Sequence, residues 1–226
     1  MNRVLSSRWT KAAVFVLCLA PVLLLGWRLL GFAIQGGQGY DANLTADPIA
    51  YITHYTGDWT IRFLLITLSV TPLRKLLGLP KLARYRRMLG LFAFFYGFLH
   101  LTTWVWLDKF FDPHEMVKDV IKRRFITAGM TAFALMLPLA VTSTAGWVRR
   151  LGFDRWQRIH RLIYFSALAG VIHYYWLVKS DVRLPLLYGG ILLVLMLYRV
   201  SIWRRTAPRR APVANPKTVG SAAQLK

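Results

Sequence analysis

The sequence predicts an all-α membrane protein: a bundle of six transmembrane helices with both termini in the cytoplasm. Three observations carry that reading. Apolar residues make up 56% of the 226 positions, and they fall into repeated blocks of bilayer-spanning length. The 30 Lys and Arg residues, against 9 acids, sit in the gaps between those blocks. Alternate gaps are strongly basic, as the positive-inside rule requires. A net charge of +21 on a soluble domain would suggest nucleic-acid binding, but here the segregation of charge from apolar blocks excludes it. The single cysteine, Cys18, lies within the first block, so intrachain disulfides and cysteine metal clusters are excluded. Histidine or carboxylate must hold any metal.

The first block, 12–34, follows Arg3, Arg8 and Lys11. A cleavable signal peptide is the competing reading. The block is longer than a signal core and no small-residue cleavage motif closes it, so we read a retained helix. The 35–57 connection carries Asp41 and Asp47 with no Lys or Arg and reads as external. The second span, 58–78, leads to a basic turn with Lys81, Arg84, Arg86 and Arg87. The third, 88–107, is followed by a mixed external loop, 108–125, holding Asp108, Lys109, Asp112, Glu115, Lys118 and Asp119. The fourth, 126–143, contains Pro138, a kink unless neighbouring helices satisfy the freed carbonyl. A basic loop, 144–159, separates it from the fifth span, 160–178, and a short turn precedes the sixth, 184–203. The chain thus divides into a transmembrane domain, 1–206, and a basic Pro- and Ala-rich tail, 207–226, expected to be disordered near anionic lipid. No strand followed by a Gly-rich dinucleotide fingerprint occurs, so electrons from a nicotinamide would have to come through another protein.

The five histidines differ in depth. His54 and His114 fall in the external connections and read as solvated side chains. His100 and His173 lie inside the third and fifth spans, where an unpaired imidazole is costly. An interhelical hydrogen bond is the bland alternative. Depth separates the two readings. His100 stands 13 positions beyond Arg87, and His173 stands 13 beyond His160. At 1.5 Å per residue both lie roughly 20 Å from the cytoplasmic face. Level histidines on two parallel spans suit axial ligation of a haem iron from opposite faces. Gly97 and Gly170, three residues before each, leave room for a flat macrocycle. His160, at the cytoplasmic end of the fifth span, is a candidate ligand for a second, inner haem. The matching level of the third span offers Arg86 and Arg87, which suit haem propionates better than iron. Trp104, Trp106 and Trp176 fall near the external interface as aromatic anchors. Asp108 and the acidic 108–119 loop are candidates for docking a partner.

Several of these residues form recognisable motifs. Arg86-Arg87-Met88-Leu89-Gly90 followed by His100 and Asp108 resembles the third span of the haem-binding membrane subunits of the bacterial periplasmic methionine sulfoxide reductase system, the MsrQ family. Trp156-Gln157-Arg158-Ile159-His160-Arg161-Leu162-Ile163-Tyr164, then His173-Tyr174-Tyr175-Trp176, resembles that family's fifth span, and Pro138-Leu139 with Thr142-Ser143 the end of its fourth. The family belongs to the ferric-reductase-like transmembrane superfamily, whose third-span and fifth-span histidines hold two stacked haems. This chain departs from the wider superfamily in having Arg86, 14 positions before His100, where the inner histidine is placed.

The resemblance implies a multi-pass subunit of the bacterial inner membrane that carries electrons and has no substrate-reducing site of its own. It implies haem b, with FMN also described for the family, although no residue here marks an FMN site. The donor would be the quinone pool or a cytosolic flavin reductase. The acceptor would be a periplasmic molybdopterin methionine sulfoxide reductase that repairs oxidised envelope proteins. The alternative is a stand-alone quinol-oxidising or ferric-reducing cytochrome b.

Overall fold

A computed structural model of the chain describes residues 7–36, 44 and 46–206. The tail expected to be disordered, 207–226, lies outside the described residues, as do Arg3 and Asp41. Among the described residues all regular structure is helical. In chain order the helices are α1 (Arg8–Ile34), α2 (Pro48–Leu76), α3 (Arg86–Thr102), α4 (Pro113–Lys122), α5 (Arg124–Val141), α6 (Ala145–Leu151), α7 (Phe153–Ile159), α8 (Leu162–Leu177) and α9 (Arg183–Thr206). A 3₁₀ turn, Pro80–Tyr85, leads into α3, and a π-helical segment, Thr103–Asp108, continues it.

Four stretches are long and apolar enough to cross a bilayer: Arg8–Ile34, Pro80–Asp108, Arg124–Val141 and Arg183–Ile202. The other two expected spans are also helical. The expected 58–78 falls on α2, whose interior carries Asp58 and Arg62, and 160–178 falls on α8, which has only 16 residues. Length and composition alone therefore do not mark them.

Helix α2 starts well before the expected residue 58. The Asp47 side chain accepts a hydrogen bond from the Ala50 amide at 2.9 Å, and Pro48 occupies the first turn. Such a cap sets a helix start irrespective of hydropathy. His54, expected in a loop, consequently lies within α2. At the other end of the bundle His160 is the C-cap of α7, so α8 begins two residues after the expected boundary.

The two most extensive helix contacts are α2 with α3 and α5 with α8. Between them lies a core of Phe63, Leu64, Leu68, Phe92, Ala93, Tyr96 and Ala167. Tyr96 is fully buried, and its hydroxyl donates to Cys18 O at 2.9 Å and accepts from Val22 N at 3.1 Å. Those two backbone atoms flank Pro21, the residue that interrupts the α1 ladder. The interruption therefore becomes the docking point of α1 on α3. The outer faces of α1 and α9 leave Leu17 and Val194 more than half exposed, at 72% and 65%, the surface that hydrocarbon would cover.

The 108–125 loop, expected to be external, contains a helix, α4. Asp112 caps it by accepting from His114 N at 2.9 Å and Glu115 N at 3.3 Å. Asp119, expected to face a docking partner, is instead turned inward and 6% exposed. Its carboxylate meets Lys109 Nζ at 2.6 Å and Arg123 Nε at 3.2 Å. Two cations on either side of the helix make the inward rotamer the stable one. The Lys109 ammonium holds the Asp119 carboxyl below its ordinary range, and Asp119 in turn holds the Lys109 ammonium above its own.

This ion pair has a defined pH window. The Asp119 contribution is complete above the ordinary aspartate range, about pH 4, and is lost as pH falls through the lowered value. The Lys109 contribution is complete below about pH 10 and is lost as pH rises through its raised value. The carboxylate is covered by its own loop, not by the bundle core, so solvent still screens it. We expect Asp119→Asn to cost about 1–2 kcal/mol, between exposed and fully buried pairs. Thermal unfolding of the detergent-solubilised protein from pH 7 to pH 3 checks this. The gap between wild type and variant should be widest near pH 7 and narrow steadily as pH falls toward 3.

Candidate functional site

His100 on α3 and His173 on α8 meet within the bundle, near the end where α2 and α5 start. Their ring centroids are 6.0 Å apart with the planes inclined at 75°. Each ring is anchored to a neighbouring helix. His100 Nδ1 lies 2.8 Å from Thr53 O, and His173 Nδ1 lies 2.6 Å from Phe125 O. A carbonyl oxygen only accepts, so in both rings Nδ1 carries the proton and Nε2 keeps its lone pair. A hydrogen bond of this kind orients a ligating imidazole and raises its basicity.

The same backbone device serves both histidines. Four residues after Thr53 stands Gly57, and four after Phe125 stands Gly129. A Cβ on Gly57 would lie 3.1 Å from His100 Nδ1, and one on Gly129 would lie 2.8 Å from His173 Nδ1. The absence of a side chain thus lets each imidazole reach the carbonyl one helical turn earlier. Gly97 and Gly170 also line the cavity, but the two glycines that admit the rings lie on α2 and α5. The signal that could have found them was a glycine near the start of each helix partnering a histidine helix.

Both rings line a cavity of about 470 Å³. Its inner wall is apolar, with Ile61, Leu64, Phe133 and Met136, and its outer end carries Asp47, His54, Asp108 and Arg123. Asp47 caps α2, Asp108 ends the π-helical segment and Arg123 caps α5, so this polar end lies where α2 and α5 start and is the end expected to be external. The wide π turn brings both Trp104 and Asp108 onto the cavity wall. Trp104, expected as an interfacial anchor, thereby contributes to the site, whereas Trp106 and Trp176 are exposed.

His160 stands apart from this pair. Its Nε2 lies 3.1 Å from Thr142 Oγ1, and its ring centroid lies 4.1 Å from that of Trp156 with the planes tilted by 32°. Arg86, at the start of α3, is within electrostatic reach of His160 and of Arg199. Arg87 is exposed, as is His114 at the start of α4.

The donor set discriminates among metal groups. Among the described residues no three His, Cys, Asp or Glu side chains converge as a chelate. Two imidazoles facing each other across a cavity supply axial ligands only, and a macrocycle must supply the rest. Two metal–nitrogen bonds of about 2 Å each, together with the ring radii, come to roughly 6 Å, which matches the separation of the rings. The residues present therefore fit a haem.

Comparison with known proteins agrees with this chemistry. Residues 56–171 match the family described as ferric reductase like transmembrane component, a stretch that includes His100 and His160. The protein-methionine-sulfoxide reductase heme-binding subunit MsrQ of Xanthomonas campestris pv. campestris (strain 8004) is 52% identical over 200 residues, covering 88% of each chain. The MsrQ subunit of Herminiimonas arsenicoxydans is 53% identical over 204 residues, 89% of each chain. That of Caulobacter vibrioides is 47% identical over 199 residues, 88% of this chain and 90% of the relative. The chain belongs to the MsrQ family. It is thus a member of the ferric-reductase-like transmembrane proteins, as the third-span and fifth-span motifs implied. The similarity to these MsrQ subunits extends over most of the described helices, beyond the segment shared with the broader family.

Proposed function

We propose that this chain is the haem b electron-transfer subunit of a periplasmic methionine sulfoxide reductase system in the bacterial inner membrane. The observation that carries the reading is the close pair of imidazoles, each with Nδ1 tied to a backbone carbonyl and Nε2 left with its lone pair. The names of the relatives, heme-binding subunits of protein-methionine-sulfoxide reductase, agree with it. In this reading all six long helices, α1, α2, α3, α5, α8 and α9, cross the membrane with both termini cytoplasmic. Asp58 and Arg62 lie within α2 as an i,i+4 ion pair at 3.2 Å, a pairing that lowers the cost of charge inside a span.

His100 and His173 hold the outer haem. His160 ligates an inner haem near the cytoplasm, with Arg86 and Arg87 pairing its propionates. Haem iron bound by two imidazoles accepts and releases single electrons with little change of geometry. Electrons enter from the quinone pool or from a cytosolic flavin reductase, with FMN as the intermediate carrier. They leave to a periplasmic molybdopterin methionine sulfoxide reductase. The protein's own residues orient the imidazoles, exclude water from the inner cavity wall and keep the ligands neutral.

A visible spectrum of the purified full chain, oxidised and reduced, tests this directly. We expect a low-spin b-type spectrum, with a second component that Ala at position 160 removes. The dithionite-reduced protein should be reoxidised by the periplasmic reductase faster than by ferric chelates. Preference for ferric chelates would favour the stand-alone cytochrome, and a colourless protein would end the haem reading altogether.

A further inference from the structure

Polar and apolar ends of the haem cavity are sharply separated. Inner residues such as Ile61, Leu64 and Met136 offer nothing to a carboxylate, and every charged lining residue except Asp58 lies at the external mouth. Three of the four charged lining residues are aspartates. Asp47 caps α2 through Ala50 N, Asp58 pairs with Arg62, and Asp108 pairs with Lys109 at 3.4 Å. Each therefore already faces a donor or a cation. The fourth, Arg123, contacts Asp119 through Nε at 3.2 Å, one edge of a guanidinium fork that can serve two carboxylates. His54 is the other basic group on the wall at this end. Arg123 is also the N-cap of α5 and gives no side-chain cap to it, so the positive end of that helix opens on the same mouth.

We infer that Arg123, with His54 on the wall of the same cavity, forms a dicarboxylate-binding site at the external mouth, and that it holds the propionates of the outer haem. This rests on the haem reading above and goes beyond it by fixing the orientation of the group. The propionate edge faces outward beneath α4, and the apolar edge points into the bundle toward Met136. The site matches its ligand in charge, in geometry and in access to water, the conditions under which a carboxylate is stable at the rim of an apolar cavity. It also brings the haem edge nearest the external solution under the loop where a partner would dock.

The experiment compares protohaem with its dimethyl ester, reconstituted into the haem-free full chain in detergent. Wild type should favour the free acid over the ester by about tenfold or more in retention, an order typical of a charge-assisted pair. Arg123→Gln should bring the two close to parity while keeping the low-spin spectrum. It should also lower the midpoint potential of the free-acid form, away from that of the ester, because the propionate charges then stand uncompensated beside the iron. Arg124→Gln loses the same charge one residue away, and Asp119→Asn loses the same ion pair but keeps Arg123; both should retain the preference. Should Arg123→Gln fail to fold, Arg123→Lys keeps the charge without the fork and should show an intermediate preference. Undiminished preference for the free acid in Arg123→Gln, or in Arg123→Lys if only that variant folds, overturns the inference. Failure of the wild type to take up either haem overturns the haem reading itself, a distinct result.

Discussion

Replacing His173 with alanine is expected to abolish the six-coordinate low-spin spectrum, and replacing His100 should do the same. In the proposed site each ring would supply one axial position, and among the described residues no other His, Cys, Asp or Glu joins the pair to form a three-ligand group. Either variant would leave iron held from one side only. The helical framework should survive, because the α2–α3 and α5–α8 contacts extend well beyond the two rings. Far-UV circular dichroism should therefore remain close to wild type while the visible and EPR signatures change. Haem retention during purification should fall at least tenfold, since loss of one strong ligand bond exceeds the 1.4 kcal/mol that a factor of ten represents. A persistent low-spin signal in both variants would assign the ligands elsewhere, with His160 and His54 the first to examine.

Gly129→Ala should have an effect almost as large without touching a ligand. The added methyl carbon would stand 2.8 Å from His173 Nδ1 and 3.0 Å from its Cε1, inside any real contact distance. The ring cannot yield and still reach Phe125 O, so either the hydrogen bond or the ring position is lost. Both outcomes disorient Nε2, and orienting partners of this kind are worth roughly 10–100-fold in metal affinity. Overpacking adds a cost of about 1–3 kcal/mol in stability. Gly57→Ala, at 3.1 Å from His100, should act in the same direction but more weakly. Gly190 on α9 is the control: nothing lies within 4 Å of its added carbon, so alanine there should be neutral or stabilising by up to about 1 kcal/mol. Haem titration followed by absorbance, with thermal unfolding in parallel, separates the ligand effect from the packing effect. Equal haem affinity in Gly129→Ala and Gly190→Ala would show that the close approach has no role.

The helical class, the approximate limits of the long helices and the level pair His100 and His173 were all legible in the sequence. Hydropathy and helical rise are local properties, and counting residues along two rods from a shared boundary needs no knowledge of how the rods pack. Membership of the MsrQ family was legible for a related reason, because its motifs are contiguous within single helices. What was not legible depends on groups that hydropathy ignores. Asp47 and Pro48 extended α2 outward and drew His54 from a presumed loop to the mouth of the cavity. Asp112 and Pro113 built a helix where a loop was expected, and its packing turned Asp119 inward. Both starts carried cap signals that a reading based on apolar blocks passes over.

The sequence by itself determined that the chain is helical, that it suits a bilayer and that two histidines stand at one depth. Only the tertiary structure decided which backbone atoms those histidines bond and therefore which ring nitrogens remain for a metal. A carbonyl oxygen is present at every residue, so no residue pattern announces which one a distant imidazole will choose. That choice follows from where a helix lacks a Cβ at the point of closest approach, at Gly57 and at Gly129. The polarity of the cavity was decided in the same way. Asp47 and His54 come from the start of α2, Asp108 from the end of the π-helical segment and Arg123 from the start of α5, and only the packing of α2, α3 and α5 gathers them at one mouth.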